Sequence, residues 1–352
     1  MNEENSIVQN QLGGTDYVPS KVSIRTDYSI VDHVHAFGVT FLGRQHEEYK
    51  EVCQDYHLFE DLGDGWHLYL VSDGAGSAKA SDRGARTNCD ITALLLKTVI
   101  EKLGWKLKDS LPTEVDWHME FYAICRKLKD FIEEKVSMLD EPVIPKDFNA
   151  TLLVLVVTPL GILSGHIGDG RMGYKDNCGE WHSIMTPHKG DEPNQTVFML
   201  NNWNKICIPS FKMSGVSVPE TAVIREKPQV VAILSDGCEN FCWECISLNE
   251  DTGRYEDRNK PFMGFWEPLE KLLRESRDNL FDNFTKFVDS CSDASRYESD
   301  DRTLMVGMYC NDSPKPEHIK EEFIDHQDTV SELEDSNEEK SAIEDETVSV
   351  LS

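Results

Sequence analysis

Carboxylates stand at four places where runs of apolar residues end or begin. Leu68-Tyr69-Leu70-Val71-Ser72 leads into Asp73-Gly74, Ile167-Gly168 leads into Asp169-Gly170, and Val230-Val231-Ala232-Ile233-Leu234-Ser235 leads into Asp236-Gly237. In the reverse order, Asp300-Asp301-Arg302-Thr303 opens the apolar run 304–309. The interior of a sheet excludes an unpaired carboxylate, so acids gathered at strand mouths are least costly where the sheet meets solvent or a cation. A glycine after the aspartate leaves the backbone carbonyl unshielded, and a carboxylate and a carbonyl can then approach one ion together. Ligation by oxygen alone, with waters retained, suits Mg²⁺ or Mn²⁺ rather than zinc. A single Asp-Gly is ordinarily a turn; it is their recurrence at successive strand mouths that carries the metal reading.

Two other chemistries fail on spacing. A haloacid-dehalogenase-type phosphatase would want an acid two places before Asp73, where Val71 stands. A phosphate-cradling loop needs Gly-x-x-x-x-Gly-Lys-Ser/Thr, and Gly74-Ala75-Gly76-Ser77-Ala78-Lys79 does not supply it. Cys238, Cys242 and Cys245 form a local cluster, but a closed zinc site needs a fourth ligand and no second close pair stands nearby.

The elements that must position these acids can be read from periodicity. Runs at 67–72, 151–158, 162–166, 230–235 and 304–309 are rich in Val, Leu and Ile and end at Gly, Asp or Pro, as strands do. Pro159-Leu160-Gly161 joins two of them into an antiparallel hairpin, and a second hairpin is expected across 175–179. Helices are expected at 82–102, 115–139 and 268–288. In the second, Trp117, Phe121, Ile124, Leu128, Phe131 and Ile132 make one apolar face; in the third, Leu269, Leu272, Leu273, Leu280, Phe281, Phe284, Phe287 and Val288 do the same. One-sided helices must lie on a sheet, and hairpins point to α+β layers rather than a doubly wound parallel sheet.

Charge narrows the partners. The chain has 352 residues and a formal charge of -29, which excludes a broad basic surface for nucleic acid. Of that charge, -11 lies in 312–352, a stretch poor in large apolar residues that is expected to be a disordered acidic tail. Residues 1–26 read as a polar leader and 27–311 as the folded domain. The longest apolar run, 151–163, is short for a membrane span and is interrupted by Pro159 and Gly161. Residues 1–10 lack the basic and apolar regions of a secretory signal, so a cytoplasmic location is expected, with the ten cysteines as thiols.

Taken in order, these residues resemble the protein phosphatase 2C family of metal-dependent Ser/Thr phosphatases, in its bacterial branch. Asp73-Gly74-Ala75-Gly76-Ser77-Ala78-Lys79 looks like the family's first metal motif. Gly43-x-x-His46 and Cys53-Gln54-Asp55 precede it, and Ala150-Thr151, Gly168-Asp169-Gly170-Arg171, Glu192-Pro193-Asn194-Gln195-Thr196-Val197-Phe198, Ser235-Asp236-Gly237 and Asp300-Asp301-Arg302-Thr303 follow it. The likeness spans 37–310. It implies a four-layer α/β/β/α sandwich with two central antiparallel sheets, acting as a monomer. It further implies two Mn²⁺ or Mg²⁺ ions held by Asp73, the carbonyl of Gly74, Asp236 and Asp300, with Asp55 holding ion-bound waters and a third, weaker site at Asp169 and Asp236. The implied activity is hydrolysis of phosphoserine and phosphothreonine on phosphorylated proteins by a metal-activated water, in a pathway that also holds a Ser/Thr kinase. The alternative is a non-catalytic pseudophosphatase that binds a kinase or phosphoprotein.

This chain departs from the family's better-known pattern at several places. Ala75 stands where a histidine proposed as general acid is common, which leaves His46 as the nearest candidate to protonate the leaving oxygen. The phosphate-gripping arginine five residues before Asp55 is Lys50 here, with Arg44 as another option; a lysine grips as a point charge rather than a fork. The acid that supports the third ion, four places after Asp236, is Asn240. Asp301 occupies a common asparagine position; spacing to Thr303 favours Asp300 as ligand, and a one-residue shift would exchange the two.

Overall fold

The computed structural model describes residues 23–31, 34–49, 52–189, 196–201, 218–245, 247–249, 253–276, 279–290 and 299–309. Lys50, the stretch 192–195 and the acidic tail from 312 onward lie outside the described residues.

Two antiparallel sheets form the centre. One holds six strands in the order β1 (Ser23–Val31), β2 (Val34–Phe41), β13 (Arg302–Tyr309), β10 (Val230–Leu234), β7 (Arg171–Lys175) and β8 (Trp181–Ser183). The other holds five, in the order β3 (Tyr56–Gly63), β4 (Trp66–Ser72), β5 (Leu152–Thr158), β6 (Gly161–Ile167) and β9 (Glu220–Ile224). A small hairpin, β11 (Ser247–Asn249) with β12 (Arg254–Glu256), stands apart from both sheets.

Alternation along the strands decides what each face meets. Val231 and Ile233 on β10 and Met305 on β13 turn toward Tyr69, Val71, Leu153 and Leu155 of the five-stranded sheet. Their neighbours Val230, Ala232, Leu234, Leu304 and Val306 turn the other way, onto Trp266, Leu269, Phe284 and Val288. These strands are therefore apolar on both faces and read as continuous runs, as sheets covered on both sides must. Gly307 lets the sheets close up: a Cβ there would lie 2.2 Å from the Tyr69 hydroxyl.

Helices complete the outer layers. α1 (Arg44–Tyr49) is a short turn between β2 and β3. α2 (Ser81–Lys102) and α3 (Glu114–Met138) cover the five-stranded sheet. Thr113 caps α3 by accepting the Asp116 N–H at 3.1 Å, and the buried face carries Trp117, Phe121, Ile124, Leu128, Phe131 and Ile132, as periodicity predicts. After the one-turn α4 (Glu239–Cys242), α5 (Met263–Glu275) and α6 (Leu280–Ser290) cover the six-stranded sheet. The layers are thus α/β/β/α, as expected.

Two expectations need correction. The helix at 268–288 is two helices: Ser276 leaves helical geometry at the end of α5, and Asn279, at φ 53°, precedes α6. Apolar spacing hid the break because Leu273 and Leu280 are seven residues apart and share one face. Pro268 lies inside α5 rather than opening it. In addition, β1 begins at Ser23, within the stretch that composition reads as leader.

Candidate active site

The candidate site is built at the ends of β4 and β10, one strand from each sheet. Asp73 follows β4, and its backbone is held by Thr151 from both sides: the Asp73 N–H donates to Thr151 Oγ1 at 2.9 Å and the Thr151 N–H to the Asp73 carbonyl at 2.8 Å. Buried Asn88 donates to the Thr151 carbonyl at 3.0 Å. Gly74 has a steric reason beyond its open carbonyl. A Cβ there would lie 2.7 Å from the Gln54 carbonyl oxygen and 2.8 Å from Ser81 Cβ, so only glycine admits both neighbours.

Asp236 follows β10. Ser235, just before it, donates to Asp55 Oδ2 at 2.7 Å and accepts the Thr303 N–H at 3.0 Å, tying Asp55 to β10 and β13. Gly237 is again obligatory, because a Cβ would fall 2.0 Å from the Asp301 carbonyl oxygen.

The adjacent acids Asp300 and Asp301 divide their work. Asp301 is buried and accepts the Gly43 N–H at 2.7 Å and the Gln54 N–H at 2.6 Å, and its Oδ1 lies 3.0 Å from Nδ1 of buried His46. It fastens α1 and the loop before Asp55. Asp300 is the one whose charge is felt by Asp55, Asp73 and Asp236 together. Spacing to Thr303 favours Asp300 as the ligand, and the hydrogen bonds give Asp301 a different task.

Asp169 enters from the loop after β6. Thr196 Oγ1 donates to its Oδ2 at 2.6 Å, and Gly168, at φ 138°, holds the bend that presents it. The charge of Asp169 is felt by Asp236. The structure therefore brings Asp55, Asp73, Asp169, Asp236 and Asp300 into one continuous carboxylate group, with His46 at its edge through Asp301. Arg44 is exposed on α1.

The electrostatics follow from that crowding. Burial, then the charges of Asp236, Asp55 and Asp300, push the Asp73 carboxyl well above the ordinary range. Burial, then Asp301 and Asp300, do the same to Asp55 against the hydrogen bonds from Ser235 and Thr303. Asp236 is pushed up to about 8 by burial and by Asp169 and Asp300. Burial also raises Asp169, with Thr196 and Lys189 pulling the other way.

These donors fit a hard divalent cation. Every acid in the group offers oxygen, and Asp169 Oδ1 and Asp236 Oδ1 are buried without a hydrogen-bond partner. A set of buried carboxylates that raise one another in this way is short of positive charge, which a cation would supply.

Two further groups could hold an ion by spacing alone: His166 with His188 and Glu220, and Asp176 with Glu180 and His182. Both are already knitted by hydrogen bonds. His166 Nε2 lies 3.0 Å from the Thr186 carbonyl, the Gly168 N–H donates to His188 Nδ1 at 3.3 Å, and the Thr186 N–H donates to Glu220 Oε2 at 3.0 Å. His182 Nε2 meets Asp176 Oδ2 at 2.7 Å while Asp176 Oδ1 accepts two backbone N–H groups. Cys238 and Cys242 are buried and Cys245 is half-buried.

Sequence reasoning missed a cation-rich group beside the acids. Arg171, fully buried, donates from Nε and Nη2 to Glu239 Oε2 at 2.8 and 2.6 Å, from Nη2 to Asp257 Oδ2 at 2.7 Å and from Nη1 to Asn259 Oδ1 at 3.0 Å. Lys189 Nζ lies 3.5 Å from Glu239 Oε1. The available signal was Arg171 itself, an arginine two residues past a strand-mouth aspartate.

With this geometry in place, comparison with known proteins decides the family. The profile of the family described as Protein phosphatase 2C matches residues 42–287. The chain belongs to the protein phosphatase 2C family. It is 24% identical over 245 residues to serine/threonine-protein phosphatase 3 of Escherichia coli K12, covering 68% of this chain and 83% of that one. Among solved structures, a point variant of a bacterial serine phosphatase is similar at a TM-score of 0.50 and 14% identity, over 80% of this chain and 100% of that chain. A PPM Ser-Thr phosphatase from Mycobacterium smegmatis, in complex with cacodylate, is similar at a TM-score of 0.45 and 17% identity, over 78% of this chain and 98% of that chain. Family and fold are those of protein phosphatases.

Proposed function

We propose that this member of the protein phosphatase 2C family is a catalytically competent protein serine/threonine phosphatase that uses two Mn²⁺ or Mg²⁺ ions. The observation that carries the reading is the carboxylate group itself: Asp73, Asp236 and Asp300 converge with Asp55 behind them, and each raises its neighbours' affinity for a positive charge. Asp73, the Gly74 carbonyl, Asp236 and Asp300 would hold the ions, and Asp55, anchored by Ser235, would hold water beside them. When bound, such ions supply an acidified water and neutralise the oxygens of the phosphate.

The chain's own residues do the rest. Asp301 Oδ1 lies 3.0 Å from His46 Nδ1, and His46 is the proposed donor of the proton to the leaving serine or threonine oxygen. The same acid, by binding the Gly43 and Gln54 N–H groups, keeps α1 against the segment that bears Asp300 and leads into β13. Lys50, one residue past α1, is the proposed phosphate grip. No cysteine is needed, since water rather than a side chain attacks phosphorus.

The substrates are phosphorylated proteins, and a Ser/Thr kinase acts in the same pathway. The protein works as a cytoplasmic monomer; among the described residues no helix is long and apolar enough to cross a membrane. The catalytic domain is 27–311, and a chain ending near residue 312 retains its fold and its turnover of a small substrate. A pseudophosphatase is disfavoured because all the metal-motif aspartates are present.

The test is turnover of p-nitrophenyl phosphate and of a phosphothreonine peptide by protein stripped with EDTA and then given Mn²⁺. Activity should appear only with metal and fall about 10³-fold or more in Asp73→Asn, the loss of several kcal/mol of transition-state stabilisation. Turnover in EDTA, or none under any metal, would sink the proposal.

A further inference from the structure

Asp169 hangs from a permissive stretch of backbone. Gly168, just before it, sits at φ 138°, and a glycine imposes little conformation of its own on the residue it carries. Yet Asp169 Oδ1 and Asp236 Oδ1 are both buried without a hydrogen-bond partner, so they suit a cation between them only if Asp169 is held in place. The hold comes from His188, which lies outside the carboxylate group.

His188 grips the support of Asp169 at both ends. On the backbone side, the His188 N–H donates to the Gly168 carbonyl at 2.8 Å and the Gly168 N–H donates back to His188 Nδ1 at 3.3 Å. On the side-chain side, the His188 carbonyl accepts the Val197 N–H at 3.1 Å. That bond adjoins the antiparallel bridge between Lys189 and Thr196, from which Thr196 Oγ1 donates to Asp169 Oδ2 at 2.6 Å. The imidazole is fully buried and stacks on His166 with ring centroids 4.1 Å apart. His166 is fixed in turn, with Nε2 3.0 Å from the Thr186 carbonyl. Because Nδ1 accepts, the proton of the neutral ring sits on Nε2, which lies 3.9 Å from Glu220 Oε2. Burial, then His166, holds the ring well below the ordinary imidazole range, in the neutral form that an acceptor must have.

We propose that His188 is a positioning residue: through the Nδ1 that holds Gly168, it sets the Asp169 carboxylate for a weakly bound divalent cation shared with Asp236. A partner that orients a ligand from behind is worth about 10–100-fold in metal affinity. A histidine that served packing alone would act through its bulk and its stacking on His166, whereas a positioning one acts through the acceptor at Nδ1. Asparagine carries an oxygen near the place of Nδ1, and leucine, of similar size, carries no acceptor at all. The two substitutions therefore separate the two roles.

The inference rests on the metal reading proposed above, and Mn²⁺ binding measured directly separates the two. Full-length protein would be freed of metal and titrated with Mn²⁺ near neutral pH, the free ion being counted by its electron paramagnetic resonance, with a melting curve for each variant. Wild type should bind two ions tightly and one weakly, and Asp169→Asn should remove the weak one. His188→Leu should weaken that ion about tenfold and leave the two tight ions unchanged. His188→Asn should stay within about twofold of wild type, although both variants lose the ring stacking and melt lower. His188→Gln, whose amide oxygen reaches past the place of Nδ1, should behave as His188→Leu and takes its place if the leucine variant does not fold. Weak binding unchanged in the acceptor-free variant, or lowered equally in His188→Asn, would overturn the positioning role and leave the two-ion centre standing. A wild type that binds two ions only would do the same. A wild type with fewer than two tight ions would overturn the two-ion centre, and the role of His188 with it.

Discussion

Asp169 and Arg171 are separated by a single glycine, yet their side chains enter opposite kinds of surroundings. Arg171 points into a knot in which Glu239, Asp257 and Asn259 satisfy its guanidinium from three directions. Asp169 points toward Asp236, where acids outnumber partners and buried carboxylate oxygens lack hydrogen bonds. The knot is complete without anything from outside; the acid group is not. A fold stabilises buried charge by pairing it, so the buried oxygens Asp169 Oδ1 and Asp236 Oδ1, left without a hydrogen bond at the mouths of two packed sheets, mark the place where an external cation is expected.

The contrast can be broken most forcefully at the knot. Arg171→Met strands the Glu239 and Asp257 carboxylates, and it should cost about 3 kcal/mol in urea unfolding, whether or not metal is present. The acid group should respond in the other direction. In metal-free protein, Asp236→Asn relieves repulsion and should raise stability by about 1–2 kcal/mol while abolishing turnover, the usual exchange of activity for stability at a strained site. A loss of stability there would mean that the acids are paired after all. Asp55→Asn, at the acid proposed to hold ion-bound water, should lower activity by a more modest ~10–100-fold with the fold intact.

The pH dependence sharpens the same comparison with a smaller effect. Asp55, Asp73, Asp169 and Asp236 all have folded-state pKa values raised above those of the unfolded chain. Their contribution to metal-free stability is complete below the ordinary carboxylate range and is lost as pH rises through the raised values, about 8 for Asp236. The melting temperature in EDTA should therefore fall as pH climbs from 5 toward 8.5, by several degrees, and added Mn²⁺ should restore most at the alkaline end. A curve flat in EDTA would show that the carboxylates titrate independently of folding.

How far the sequence announced this arrangement depended on whether a feature is local. Strand-mouth aspartates followed by glycine are local, so Asp73, Asp169 and Asp236 stood out, and strands apolar on both faces, such as β5 and β10, were readable from composition. Strand β3 was not, because it is half-exposed and carries Glu60 and Asp61. Its pairing with β4 supplies what its composition withholds. The knot around Arg171 was invisible because its partners lie 68, 86 and 88 residues away. The split between Asp300 and Asp301 needed the backbone N–H groups of Gly43 and Gln54, which no spacing rule connects to residue 301. The stretch 192–195 and Lys50, which the resemblance singled out, lie outside the described residues.

The central claim is that the aspartates at the strand mouths converge on divalent cations. It is tested most directly by anomalous diffraction at the manganese absorption edge from crystals of the Mn²⁺-loaded protein. The account predicts two peaks among Asp73, Asp236 and Asp300. Difference maps without anomalous signal among these residues would contradict it.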